Sequence, residues 1–338
     1  MLSRKFSVVA VGRAYTDVIA HVTQNFLDFH GIPVNGSLGC SASKLQEICS
    51  KVEPLQIIPG GPSANTAATI VSLGGTAGFF GKVHNDDNGL KFLEDFRSRG
   101  VALCCSPHHN AFQMSATCLV LLSGENRSIV YNEGCADSFA KDDFNKFDFL
   151  SANFFLIEAY LLTESSAKSI IMGAINQAQN RSNIVVNLQG IMSWNMCTEE
   201  LQYINSKADV IIGNQEEQAA YSCAKNLIRA NHKSSQLVIT TKGAAGAMVA
   251  QDDRVLLEIA ASAPNHFVSS VGAGDAFIAG FLLSQSRGLS IKESMSNATQ
   301  VATCILEEAG GRSARSIVDL ISENAHQSIL PPTLSPDL

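Results

Sequence analysis

"HFVSSVGAGDAFIAGFL" (His266–Leu282) changes character at its centre. It opens around a short β-prone pair, Phe267-Val268, and closes on apolar residues at helical spacing, Phe277, Ile278, Phe281 and Leu282. Between them stand Gly272-Ala273-Gly274 and a carboxylate, Asp275. The first backbone N–H groups of a helix lack helical partners, and glycine lets a phosphate come close to them. An ionised aspartate would oppose that phosphate unless it had its own task, such as taking the proton of an attacking hydroxyl. As a plain first-turn acid it would favour the helix by ~0.3–1 kcal/mol. This stretch alone leaves both readings open.

Outward from the junction, the chain repeats the same strand-then-helix rhythm. "FSVVAVG", "AGFFGKV", "NFFLIEAYLL", "NIVVNLQG", "ADVIIGNQ" and "QLVITTKG" read as strands buried on both faces and ending in polar residues or glycine. "SANTAATIVSLGG", "NGLKFLEDFRSRGV", "SAKSIIMGAINQAQNRS" and "EEQAAYSCAKNLIRA" between them are helix-patterned. That alternation predicts an α/β chain, a mainly parallel sheet with helices on both faces, whose ligands gather at the carboxyl ends of the strands. Two stretches break the rhythm. Residues 18–58 show no strong repeat, and 111–132 contains a β-hairpin turning at Gly124-Glu125-Asn126. They are expected to form a small β lid inserted in a core of residues 1–17, 59–110 and 133–325, with 326–338 as a loose, proline-containing tail.

Composition narrows the function. Apolar residues make up 46% and charged ones 16%, enough for a sizeable core. A formal charge of −7 offers no basic field for nucleic acid. No run reaches the ~20 apolar residues of a membrane span, so the expectation is a cytoplasmic protein without membrane contact. Nine cysteines without a CxxC pair read as reduced, packed thiols, and the histidines supply no zinc cluster. A P-loop is absent, and "AVGRAYTD" after the first strand lacks GxGxxG, which removes support for dinucleotide binding.

Four further places carry candidate chemistry. "PGGPSANTAATIVSLGG" (59–75) turns on Gly60-Gly61 into a helix with Asn65 one turn in, or is an ordinary turn and helix start. Asp17 after the first strand could grip a sugar diol or be a turn acid. Asn214 and Glu217 share one helical face at i,i+3, suited to a hydrated Mg²⁺ or to a helix cap. "TTKGAAG" (240–246), with Thr241, Gly243 and Gly246, ends a strand where a nucleotide could lie.

Together these residues resemble the ribokinase/PfkB family of carbohydrate and nucleoside kinases, nearest its adenosine kinase branch. The resemblance runs from about residue 6 to 320. It rests on Asp17, "GGPSAN" (60–65), "GENRS" (124–128), "NQEE" (214–217), "TKGAAG" (241–246) and "GAGDAF" (272–277), in family order. It implies a ribokinase-like fold and an ATP- and Mg²⁺-dependent kinase acting on a primary hydroxyl. Asp275 would be the base, and the amides of Gly272, Ala273 and Gly274 the anion hole. Arg127 on the lid would reach the phosphates. Asp17, Gly60, Gly61 and Asn65 would hold sugar hydroxyls. Asn214 and Glu217 would organise Mg²⁺ through water, with Asn214, Thr241, Gly243 and Gly246 around ATP.

The chain departs from the pattern in two places. Ser269-Ser270 stand where the family usually has Asp-Thr, which leaves monovalent-cation dependence open. Gly12-Arg13 replaces the branch's Gly-Asn. A guanidinium in the substrate site would favour an acidic or phosphorylated group, unless Arg13 pairs with Asp17 or faces solvent. Aromatic contacts to a base are expected around Tyr160-Leu161 and Met192, with Trp194 near in sequence. The expectation is a kinase of an adenosine-like nucleoside. A sugar or sugar-phosphate kinase is the alternative, and a non-catalytic nucleotide- or sugar-binding protein of the same fold is a third reading. The expected partner is a small-molecule substrate, and the expected assembly a monomer or a lid-mediated homodimer.

Overall fold

The computed structural model describes residues 6–104, 107–110, 113–124, 126–145, 152–162, 167–189, 198–228, 233, 235–308, 310–313 and 318. In chain order the first half holds β1 (Phe6–Val11), β2 (Tyr15–His21), α1 (Gln24–His30), β3 (Ser37–Gly39), α2 (Ala42–Cys49), β4 (Pro54–Gly60), α3 (Pro62–Ser72), β5 (Ala77–Phe80), α4 (Asp87–Arg99), β6 (Ala102–Leu103), β7 (Ala116–Ser123), β8 (Asn126–Asn132) and α5 (Lys141–Asn145). The second half holds β9 (Ala152–Glu158), α6 (Lys168–Ala178), β10 (Asn183–Asn187), α7 (Thr198–Lys207), β11 (Val210–Asn214), α8 (Gln215–Ile228), β12 (Leu237–Thr241), β13 (Ala247–Gln251), β14 (Arg254–Ile259), α9 (Ala273–Ser286) and α10 (Ile291–Leu306).

The core sheet runs β14-β13-β12-β11-β10-β9-β1-β5-β6. The six runs read as strands from the sequence are neighbours in it, and β12-β11-β10-β9-β1-β5 pair in parallel. β13 and β14 add an antiparallel margin. In β1 the two-residue period divides the chain's apolar mass. Val8 and Ala10 pack toward α3, α4, α9 and α10, against Ile70, Phe92, Phe96, Phe281 and Val301. Val9 and Val11 pack the other way, with Phe155, Ile157, Ile171 and Ile204, and Phe6 at the strand's start joins them out of the alternation. Both faces being covered is why these strands read as continuous apolar runs. α9 is buried on nearly every side from Asp275 to Ser284, as a helix with apolar residues on every face between sheet and α10 must be.

The second sheet runs β3-β8-β7-β2-β4. Here alternation separates two faces. Val18, Ala20, Leu119, Leu121 and Val130 form a core with Leu27 of α1 and Leu45 and Ile48 of α2. Asp17, Cys118, Val120, Arg127, Ile129 and Tyr131 face the cleft above the core strands. α1 and α2 had no counterpart in the sequence reading of residues 18–58. They are only 7 and 8 residues long, but each carries a cap: Thr23 accepts from the Phe26 amide and Ser41 from the Lys44 amide, both at 3.3 Å. One expectation fails at Phe267-Val268, which forms no strand. The amides of Val268 and Ser269 both donate to the Leu306 carbonyl, at 2.8 and 3.2 Å. The segment closes the end of α10 in place of joining a sheet edge. Met192, Trp194 and the tail 326–338 lie outside the described residues.

Candidate active site

A cleft of about 480 Å³ lies between the second sheet and the carboxyl ends of the core strands. Arg13, Asp17, Gly61, Asn65, Arg127, Asn214, Glu217, Thr241, Gly272, Gly274 and Asp275, drawn from across the chain, all line it. Gly60 and Ala273 stand just behind that lining. Gly243 and Gly246 belong to the turn after β12, outside the cleft wall.

Gly272 caps α9 with φ 78°, the left-handed conformation, and a Cβ there would run into the backbone of Gly311. The Ala273 amide turns back to the Ser270 carbonyl at 3.3 Å, and helical bonding begins with Ala276 on Gly272 at 2.9 Å. The amides of Gly274 and Asp275 thus belong to the helix start that has no helical acceptor. Asp275 is 8% exposed, and its Oδ2 accepts from Asn65 Nδ2 at 2.9 Å. Burial pushes its carboxyl up to about 7; the Asn65 bond and the charges of Arg127 and Arg312 pull down, while Asp17 pushes up. Asp17, on β2, is raised to about 6 by burial, held back by Arg312 and Arg127. Two carboxyls near neutrality thus share one cleft, which suits general base chemistry at physiological pH.

Arg127 sits on β8 across from the α9 mouth. Its Nε is buried, and no hydrogen-bond acceptor reaches it among the described residues. A buried guanidinium donor with no acceptor among the described residues is costly in the free protein and fits an anionic ligand between the two sheets. Asn214 and Glu217 cap one another. Glu217 Oε2 accepts from the Asn214 amide and Asn214 Oδ1 from the Glu217 amide, both at 2.8 Å. The cap holds this carboxylate and amide on the cleft wall. No cluster of three or more His, Cys, Asp or Glu forms a metal cage among the described residues. That donor set fits a Mg²⁺ that keeps most of its waters and rides on phosphates.

Arg13 does not pair with Asp17. Its Nε and Nη2 grip Asp137 through two 2.7 Å bonds, Nη1 reaches Glu133 at 2.9 Å, and the guanidinium lies 4.5 Å over the Tyr160 ring. The charge that would have drawn an acidic substrate is already matched by two carboxylates 120 and 124 residues away.

Several site residues carry no motif. Tyr15 and Tyr131 join Tyr160 on the cleft wall, so three rings are present where the sequence suggested one. Glu158, at the end of β9, is fully buried and accepts from the Ser63 amide at 2.5 Å and the Arg13 amide at 3.3 Å, holding the start of α3. Burial pushes it up to about 8. The one signal was an acid inside the apolar run "NFFLIEAYLL". Arg312, in the loop after α10, donates to Asn65, and nothing local in "GGRS" announces it.

The described residues contain no helix long and apolar enough to cross a membrane. Residues 34–317 match the pfkB family carbohydrate kinase. Adenosine kinase 1 of Arabidopsis thaliana is 23% identical, across 90% of this chain and 94% of its own. Adenosine kinase of Saccharomyces cerevisiae is 24% identical, across 90% and 95%. Among solved structures, adenosine kinase from Sinorhizobium meliloti superposes with a TM-score of 0.84 at 24% identity, covering 96% of this chain and 99% of that one. A probable sugar kinase from Rhizobium etli gives 0.84 at 25%, covering 97% and 99%. With its ribokinase-like fold and a family match over most of its length, the chain is an ATP-dependent kinase belonging to the pfkB carbohydrate kinase family.

Proposed function

We propose that the protein transfers the γ-phosphoryl group of ATP to a primary hydroxyl of an adenosine-like nucleoside, with Asp275 as the base. The observation that carries this reading is the placement of Asp275. It is buried at the open end of α9, poised near neutrality, and held by Asn65 within a cleft whose other walls carry Arg127, Asn214 and Glu217.

In this reading Asp17, Gly60, Gly61 and Asn65 receive the ribose, and Tyr15, Tyr131 and Tyr160 offer rings to a base. Asp275 accepts the hydroxyl proton as that oxygen attacks in line. The amides of Gly272 and Gly274, with that of Ala273 once it leaves the Ser270 carbonyl it holds in the free protein, stabilise the charge that develops on the transferred group; one such donor is worth ~10²–10³ in rate. Arg127 neutralises phosphate charge and, with the lid, keeps water out. Asn214 and Glu217 would hold a hydrated Mg²⁺, which neutralises phosphate charge when bound. Asn214 and Thr241 line the nucleotide's path, and the turn with Gly243 and Gly246 would border it where it leaves the cleft. Three aromatic rings and an Arg13 already paired with Glu133 and Asp137 favour a nucleoside over a phosphorylated sugar. A plain sugar is the second reading, favoured by the likeness to the probable sugar kinase of Rhizobium etli.

The test is Mg-ATP turnover followed as substrate-dependent ADP release. The panel holds adenosine, other nucleosides, ribose, fructose and sugar phosphates, with wild type and Asp275→Asn. Adenosine turnover that Asp275→Asn abolishes is expected. Turnover untouched by that substitution removes Asp275 as base.

A further inference from the structure

We infer that Arg312 is a positioning residue for the catalytic base: its Nε–H, bonded to Asn65 Oδ1, sets the face of the amide that delivers Nδ2–H to Asp275. The inference rests on Asp275 being the base.

The two bonds measure 2.9 Å each, Arg312 Nε to Asn65 Oδ1 and Asn65 Nδ2 to Asp275 Oδ2. An asparagine amide can lie either way round, and its orientation follows from its neighbours. Here the neighbours allow one answer. A guanidinium only donates and an ionised carboxylate only accepts, so oxygen must face Arg312 and nitrogen must face Asp275. Remove the guanidinium and Asp275 alone is left to orient the amide, which it can do only while ionised, because a protonated carboxyl can also donate to Oδ1.

Arg312 is itself immobilised. Its side chain is 4% exposed; Nη1 bonds Asp95 Oδ2 at 2.5 Å and Nη2 bonds the Gly60 carbonyl at 3.2 Å. The guanidinium lies over Phe96 at 4.8 Å and Phe92 at 5.1 Å. Asp95 is steadied in turn by Arg99 at 2.8 Å. Each guanidinium nitrogen therefore has its own acceptor, in a plane fixed by two rings. The loop beneath is pressed onto the site: a Cβ at Gly311 would stand 2.6 Å from Asn65 Nδ2. A lysine could keep the charge beside Asp95 but has no planar fork to serve three acceptors at once.

Asp275 is faced by Asn65 from α3, Arg312 from the last loop, Arg127 from β8, Asp17 from β2 and Glu158 from β9. Asn65, Arg312 and Arg127 favour the ionised base, while Asp17 and burial oppose it. Losing Arg312 removes a cation and loosens the Asn65 bond, and both changes move the base the same way.

The test compares wild type, Arg312→Lys, Arg312→Met and Asp275→Asn by kcat and KM between about pH 5 and 9, with thermal melts alongside. Arg312→Lys and Arg312→Met are expected to lower kcat about 10- to 100-fold with the KM for ATP unchanged. In Arg312→Met the acidic limb of kcat is expected to move up by about one pH unit. A variant that melts like wild type and keeps both the wild-type kcat and the wild-type limb overturns the inference. If Arg312→Met does not fold, Arg312→Lys, which retains a cation opposite Asp95, decides alone. Asp275→Asn separates the two layers: if it turns over normally the base reading falls, and this inference with it. If it is inactive while folded Arg312 variants behave as wild type, only the role of Arg312 falls.

Discussion

Gly60 and Asp17 occupy adjoining space with nothing to spare: a Cβ on Gly60 would enter the volume of the Asp17 carboxylate. They lie side by side because β4 returns antiparallel along β2, pairing Gly60 with Tyr15 and Pro59 with Thr16. Gly60→Ala is therefore expected to push Asp17 out of position while leaving the nucleotide side of the cleft alone. Steady-state kinetics should show the acceptor KM rising about tenfold or more, with the KM for ATP unchanged.

The pH dependence follows from Asp275, whose carboxyl stands near 7 against an ordinary 3.8. As a base it must be ionised, so kcat should fall about tenfold per pH unit below that value. Stability runs the other way. A carboxyl raised by folding contributes fully below its unfolded value, and that contribution is lost as pH rises through the folded one. Asp275→Asn should therefore be more stable than wild type at pH 8, by about 1–3 kcal/mol, with the gain shrinking toward pH 4. Denaturant unfolding at both pH values checks it.

Glu217 serves two masters, the cap on Asn214 and the cleft. Glutamine can keep the cap, since its oxygen still accepts the Asn214 amide. Glu217→Gln should thus melt near wild type yet need about tenfold more Mg²⁺ for half-maximal rate, because the carboxylate proposed to hold the hydrated ion is gone. A Mg²⁺ titration of turnover at saturating ATP reads this out. An unchanged requirement would leave Glu217 as a helix cap and no more.

Arg127 should show catalysis and stability parting company. Its Nε is buried with no acceptor among the described residues, a cost that offsets its attraction to Asp17 and Asp275. Arg127→Ala is expected to lower kcat about 10²-fold while the melting temperature holds or rises. A large loss of melting temperature would mean that the guanidinium chiefly holds the lid together.

Much of the fold was legible because the core strands are buried on both faces and therefore announce themselves as apolar runs. The α9 mouth was legible because a glycine loop meeting a carboxylate is rare in local sequence. Short pieces were harder. α1 and α2 lean on the lid sheet for stability, so their own patterns are faint, though Thr23 and Ser41 mark their starts. Partners closed through space left no trace at all. Arg13 could be seen beside a sugar or beside Asp17, but Asp137 and Glu133 meet it only once the chain returns from the lid. Phe267-Val268 had the composition of a strand and no strand to pair with, so the end of α10 claimed its amides.

The separation of Asn65 from its two partners sets an order of assembly during synthesis. Asp275 lies 210 residues beyond it and Arg312 lies 247. A ribosome has delivered every strand of the lid by Asn132, before α9 exists. A nascent chain can thus fold the second sheet long before Asp275, the proposed base, has been made. A chain stopped after Leu306 would keep α9 and Asp275 but lack the Gly310–Ser313 stretch that orients Asn65. On the proposed mechanism, a chain becomes competent for phosphoryl transfer only once Arg312 has been made.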